Sequence, residues 1–414
     1  MIAFWKVNFI FSLIGNERSR WAFWPSWVSI NQKVLCLLNR GIKMKTRHDP
    51  LSIDMFDKLC SQETKQSDYP LAAEVNSKVV CYDGDALRDT VANQVEREDF
   101  QEELARVLES GPGVFVVRDF FNTTQPITQL NAVIKRLFEQ QAGTVAADHF
   151  AKAGENGRIW NVLEKTALED AASHIEYYKN PLFQLVSEAW LGPNYQLTAQ
   201  INVVRPGGQA QAPHRDYHLG FQDEGLLKHY PPHVHKMSAK LTLQGAVAHT
   251  DMPLESGPTL LLPYSQQYDE GYLAWRHDDF KAYFDKYAVQ LALKQGDAMF
   301  FNPALFHAAG SNHTKDFHRM ANLFQVSSAF GRAMESVDRE AMYLAIYPEL
   351  LRCKDELSEP ELEALLANTC EGYSFPTNLD TDPPVGGMSP QTQKELVRDS
   401  LNTNLSANLS NNGL

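Results

Sequence analysis

In the segment Pro213-His-Arg-Asp-Tyr217 a histidine and an aspartate stand two positions apart, so on an extended strand the side chains of His214 and Asp216 leave the same face. A neutral imidazole and a carboxylate then converge on one point. Further along, Met299-Phe-Phe-Asn-Pro-Ala-Leu-Phe-His307 is an apolar, strand-like run that delivers a single histidine. Two histidines and one carboxylate on a rigid β scaffold make a facial triad, which leaves three coordination positions of iron(II) open for a bidentate 2-oxo acid and dioxygen. A His-x-Asp pair is weak evidence alone, because chance pairs are common. Arg319 strengthens it: the arginine follows His307 by twelve residues at the start of another strand-like run. Its planar guanidinium could clamp the distal carboxylate of such an acid through two parallel hydrogen bonds. A surface or ion-paired arginine is the plainer alternative for that residue taken without the triad.

These residues need elements to hold them. Phe100, Leu104, Val107 and Leu108 share one helical face, and Gly111-Pro112 stops that helix. Gly113-Val-Phe-Val-Val-Arg-Asp-Phe-Phe121 follows as a β-branched and aromatic strand. Helices are expected over Ile127 to Gln141 and over Pro181 to Trp190. Strand candidates then cluster at Gln196 to Val204, Lys240 to Ala248, Thr259 to Leu262, Ala288 to Leu293, Ala298 to Phe301 and Arg319 to Ser327. Helices first and strands later, joined by irregular loops, imply an α+β protein with a jelly-roll core buttressed by helices. A last helical region is expected from about Val337 to Asn368, where Ser358-Glu-Pro-Glu361 reads as a capping box. No internal repeat is present.

At 414 residues, with 43% hydrophobic and 21% charged composition, the chain is an ordinary globular sequence with room for a large core. Its net charge of −13 and the lack of a basic stripe argue against a nucleic-acid partner, which is bound through clustered Lys and Arg. Five scattered cysteines form no close pair and read as reduced thiols, the usage of a cytoplasmic protein. Residues 1–43 differ from the rest, with four of the seven tryptophans and six basic residues against one acidic. Their apolar stretch Val7 to Ile14 is too short for a membrane span of roughly 20 residues, and no membrane partner is expected. The segment reads as upstream sequence ahead of a natural start at Met44, with a targeting segment as the alternative. The expected division is therefore an extension at 1–43 and an enzyme domain at 44–335 with its β core at about 195–330. A helical region at 336–397 and a disordered Asn- and Ser-rich tail at 398–414 complete it.

From residue 95 to 330 the sequence resembles the phytanoyl-CoA dioxygenase family of iron(II)- and 2-oxoglutarate-dependent oxygenases. The resemblance rests on Gly113-Val-Phe-Val-Val, Gly192-Pro-Asn, Arg205-Pro-Gly207 and the His214-x-Asp216 pair. It continues through Asp251-x-x-x-Glu255-Ser-Gly-Pro-Thr-Leu-Leu-Leu-Pro-Tyr-Ser265, Gly296-Asp297, His307 and Arg319. It implies a double-stranded β-helix, iron on His214, Asp216 and His307, Arg319 on the far carboxylate of 2-oxoglutarate, and dioxygen as second cosubstrate. The pattern departs from the family at Tyr264-Ser-Gln266, where many relatives carry Gly-Ser-His. It departs again at Ala309, where a serine is frequent, so one hydroxyl contact to the cosubstrate is either missing or supplied by Ser311.

Other residues bear on the same chemistry. His229-Tyr-Pro-Pro-His-Val-His235 reads as a proline-flanked loop over the pocket rather than a second metal site. His218 would share the face of Asp216 on a continued strand and hydrogen-bond to the metal site from behind, with a solvated loop position as the equal alternative. Arg158, Trp160 and Asn161 fall where relatives contribute to the pocket, although Trp160 serves equally as packing.

The expected reaction is oxidative decarboxylation of 2-oxoglutarate to succinate, coupled to hydroxylation of an unactivated C–H bond in a small organic molecule or an acyl-CoA. Halogenation is disfavoured, since Asp216 fills the position that a small residue would open to chloride. Desaturation, epimerisation and ring formation use the same oxidant. The competing class is a catalytically silent jelly-roll binding protein.

Overall fold

The structure is a computed structural model, described here for residues 47–141, 156–384 and 386–403. The expectations for residues 1–43 lie outside the described residues.

Ten strands carry the architecture: β1 (Glu74–Asn76), β2 (Val79–Asp83), β3 (Val114–Arg118), β4 (Asn156–Ile159), β5 (Gln196–Val204), β6 (Thr242–Ala248), β7 (Leu260–Leu262), β8 (Ala298–Phe301), β9 (Phe306–Ala308) and β10 (Arg319–Ser327). Eight form one sheet in the order β1-β2-β3-β8-β6-β10-β5-β4, while β7 pairs with β9 in a second. Single bridges extend the second sheet, His214 to His307 on one side and Leu261 to Val289 on the other. Four segments of the short sheet thus oppose four central strands of the long one. That is the double-stranded β-helix, and the α+β jelly-roll expectation holds.

Side-chain alternation explains how this sheet carries both a core and a site. On β5, Leu197, Ala199 and Ile201 turn outward into the main apolar core, while Gln200 and Asn202 turn inward to line the barrel cavity. On β8, Ala298 and Phe300 face out, and Met299 and Phe301 face in. The outer face is sealed by helices 125–140, 162–169, 171–178 and 181–191. Phe183, fully buried, packs edge-on against Phe324 of β10 and Phe120. Burying such a ring contributes about 1.5–3 kcal/mol.

Several boundaries differ from the sequence expectation. Ala288 to Leu293 makes only isolated bridges, because its two contacts reach different segments, Leu261 and Met252, and no continuous ladder forms. The expected helix from Val337 to Asn368 is two helices, Arg339–Cys353 and Glu359–Thr369, and the break falls where Ser358 and Glu361 form the expected capping box. The expected disordered tail is corrected over its first residues: Gln393–Thr403 is a helix that buries Val397 and Leu401 in the main core. Cys60, Cys81, Cys353 and Cys370 are free thiols. Among the described residues no helix is long and apolar enough to cross a membrane.

Candidate metal and cosubstrate site

His214 and His307 meet across the short sheet. Each backbone N–H donates to the other's carbonyl, at 3.0 and 3.1 Å, which sets their rings 4.4 Å apart. Near each ring's Nδ1 lies a backbone carbonyl two residues back, Ala212 O at 2.8 Å and Leu305 O at 2.9 Å. A carbonyl can only accept, so Nδ1 carries the proton and the Nε2 lone pair of each imidazole is turned inward, the tautomer a metal requires.

Both Nε2 atoms face one carboxylate. His214 Nε2 lies 3.7 Å from Asp216 Oδ1, and His307 Nε2 lies 3.5 Å from Asp216 Oδ2. The three side chains are buried, and their ligand atoms all fall within 4.8 Å of one another. Burial would raise the Asp216 carboxyl, but positive charge at the His214 and His307 rings, which a bound cation would equally supply, together with the Gln244 N–H outweighs it and holds the group down to about 2. Asp216 is therefore anionic at neutral pH, and its Oδ1 is buried without a hydrogen-bond partner among the described residues. An inward-facing pair of imidazoles around an orphaned carboxylate oxygen fits a divalent cation.

Arg215, between the two, points the opposite way. Fully buried, it donates to the carbonyls of Ser265 at 2.6 Å and Tyr268 at 3.0 Å and lies over the rings of Tyr272 and Phe306. The backbone between His214 and Asp216 is thereby anchored to the loop that follows β7. Sequence reasoning passed over this residue; its position between two candidate ligands, where alternation sends it into the protein, was the available signal.

Arg319 opens β10 and lines the same cavity, 6% exposed. Burial pulls its guanidinium down to about 10, and no hydrogen bond or ion pair to that guanidinium occurs among the described residues. An enclosed cation without a counterion fits an anionic ligand.

The structure sorts the remaining candidates. Ala309 lines the cavity, whereas Ser311 does not: its hydroxyl accepts from the Ala210 N–H at 2.8 Å in a neighbouring loop, so no Ser311 contact to a cosubstrate is supported. His218 leaves the strand direction at a positive φ of 57° and approaches Thr242 Oγ1 at 3.3 Å rather than Asp216. The histidine-rich segment is partly helical, over Pro232–Ser238, because Pro232 occupies a helix first turn; His235 is buried beside the Leu227 carbonyl and held down to about 4 by burial. Arg158 and Trp160 line the cavity, with the guanidinium 5.2 Å over the indole. Asn161 instead takes a left-handed conformation at the start of helix Val162–Glu169.

A jelly-roll barrel enclosing two histidines, one carboxylate and a buried arginine defines an oxygenase of the iron- and 2-oxoglutarate-dependent class. The family model for phytanoyl-CoA dioxygenase (PhyH) matches residues 111–321, half of the chain, and the protein belongs to that family, whose enzymes depend on iron(II) and 2-oxoglutarate. A curated relative, the dioxygenase andF of Emericella variicolor, is 22% identical over 222 residues, covering 53% of this chain and 71% of the relative. Among solved structures, the non-heme alpha-ketoglutarate-dependent epimerase SnoN of nogalamycin biosynthesis is 18% identical with a TM-score of 0.40, covering 56% of this chain and 84% of its own. The carbocyclase SnoK of the same biosynthesis is 17% identical with a TM-score of 0.43, covering 56% and 86%.

Proposed function

We propose that His214, Asp216 and His307 hold iron(II), that Arg319 holds the far carboxylate of 2-oxoglutarate, and that the enzyme hydroxylates an unactivated C–H bond of a small organic substrate. The observation that carries this reading is the pairing of two complementary groups in one cavity: a buried carboxylate oxygen between two inward imidazoles, and a buried arginine that has no counterion among the described residues. Iron bound there supplies the oxidising chemistry that converts 2-oxoglutarate and dioxygen to succinate, carbon dioxide and a hydroxylated product. The protein's own residues bind, orient and exclude water. Asp216 contributes the one negative charge among the three ligands, Arg319 fixes the direction of the cosubstrate, and the inward apolar residues Met252, Leu293, Met299 and Phe301 keep the cavity dry.

The test is iron stoichiometry and succinate release by the parent, Asp216→Ala and His307→Ala under air with 2-oxoglutarate. The parent is expected to bind about one iron and release succinate, and both variants to lose succinate formation. Full iron binding and turnover in Asp216→Ala would refute the assignment. His235→Ala, outside the cluster, is expected to keep its iron; loss there alone would move the metal to the histidine-rich segment.

A further inference from the structure

The inner wall of the large sheet carries amides where a cavity for a hydrocarbon tail would be apolar. Gln200 of β5, Gln325 of β10 and Gln244 of β6 all line the cavity and are 4%, 8% and 4% exposed. Gln325 is the register partner of Gln244, and Gln200 lies one row along, opposite Leu323. The orientation of Gln244 is fixed, since only its N–H can face the Asp216 carboxylate, at 2.6 Å; its Oε1 is consequently buried with no partner. Among the described residues Gln325 Oε1 is buried without a partner as well. Gln200 accepts from Arg158 at 3.3 Å, and its N–H is shared between the Met334 sulfur, a weak acceptor at 3.4 Å, and the Glu335 carboxylate at the rim of the strip. A buried amide oxygen left unsatisfied costs about 1–3 kcal/mol. Adjacent ones persist in a binding cavity where a ligand supplies what they lack.

Gln244 touches Asp216, so the strip starts beside the metal ligands, but its Gln325 end lies away from the carboxylate that Arg319 would hold. Arg319 begins β10 and Gln325 lies six residues on, roughly 20 Å away at about 3.3 Å per residue. A short diacid anchored on Arg319 does not reach it. Around the strip the cavity is lined by Trp160, Phe221, Leu323 and Met334.

Resting on the oxygenase reading, we propose that Gln200, Gln244 and Gln325 recognise the prime substrate, and that this substrate has a compact apolar body with two or more hydroxyl or N–H donors along one edge. Carboxamide oxygens require donors. A fatty acyl chain has none and would seal both orphaned oxygens away from water, so the strip selects against the acyl-CoA class.

The experiment is anaerobic binding to the full chain, with and without iron(II) and 2-oxoglutarate, of naphthalene, 2-naphthol and 2,7-dihydroxynaphthalene, with palmitoyl-CoA as the acyl probe. The expected result is an affinity that rises roughly three- to tenfold per hydroxyl, with palmitoyl-CoA weaker than the diol. In Gln325→Leu and Gln200→Leu the gradient flattens, and Gln325→Met repeats the first with an unbranched chain. Equal affinity across the naphthalene series, no binding of any member, a gradient undiminished in the variants, or tighter palmitoyl-CoA binding would each overturn the proposal. A parent that binds the diol yet holds no iron and releases no succinate would instead overturn the oxygenase reading and leave the strip standing.

Discussion

Gln244 donates its amide N–H to Asp216 Oδ2 at 2.6 Å, leaving Asp216 Oδ1 buried without a hydrogen bond between the two imidazoles. The brace comes from β6, on the sheet facing the one that carries the histidines, so the carboxylate is held from both layers of the barrel. Partners of this kind orient a ligand and are typically worth 10- to 100-fold in metal affinity. Gln244→Leu is accordingly expected to weaken iron(II) binding by about that factor while the fold persists. Anaerobic iron titration with circular dichroism checks it; unchanged affinity would show that Asp216 needs no brace.

Arg319 is expected to behave as a charge waiting for its counterion. Arg319→Leu should keep iron and weaken 2-oxoglutarate binding by roughly 10- to 100-fold, the value of a charge-assisted pair. Without cosubstrate the variant should melt no lower than the parent, because a buried cation with no partner contributes nothing favourable. Calorimetric titration and melting curves with and without 2-oxoglutarate read both effects. An undiminished affinity would assign the carboxylate to another cation.

Much of this site was legible in the sequence because it depends on short-range rules. Two-residue spacing put His214 and Asp216 together, and the apolar run before His307 marked it as strand-borne. The placement of Ser311 was not legible, since its hydroxyl is taken by the Ala210 N–H, 101 residues earlier in the chain. Nor was His218, whose direction follows from a local positive φ rather than from strand alternation. The amide strip was within reach of inspection, as Gln200 and Gln325 sit on strands recognised from composition. Only the register between β10 and β6 shows that Gln325 meets Gln244. The helix Gln393–Thr403 was missed from residue 398 on because its polar outer face resembles the tail that follows, and two apolar residues, Val397 and Leu401, carry its docking.

Gly271 is expected to tolerate no side chain. A Cβ built there would lie 1.9 Å from Arg215 Cζ and 2.0 Å from its Nη2. The end of an arginine ordinarily moves aside, but this one is fully buried and bonded to Ser265 O and Tyr268 O. Gly271→Ala therefore overpacks the anchor between two metal ligands, at a cost of about 1–3 kcal/mol. Iron affinity should fall along with stability. A variant with parental melting temperature and iron content would show that Arg215 can relocate without disturbing its neighbours.

Glu335 gives the protein a pH dependence of predictable sign. Burial pushes its carboxyl from the ordinary 4.5 up to about 7, partly offset by the Asn161 N–H, which donates to Oε1 at 2.6 Å. Between those two values the folded protein holds a proton on Glu335 that the unfolded chain has released. Stability from this group therefore falls as pH rises from about 4.5 to about 7, and the deficit remains above 7. At about 1.4 kcal/mol per pKa unit the full effect is of order 3 kcal/mol at most. Glu335→Gln keeps an acceptor for Asn161 and removes the ionisation. Urea unfolding of parent and variant should give similar stabilities near pH 4.5 and a variant progressively more stable than the parent up to pH 8. A difference between the two proteins that stays constant across that range would mean that Glu335 titrates alike in the folded and unfolded chain, and that its burial beside Asn161 leaves the carboxyl fully solvated.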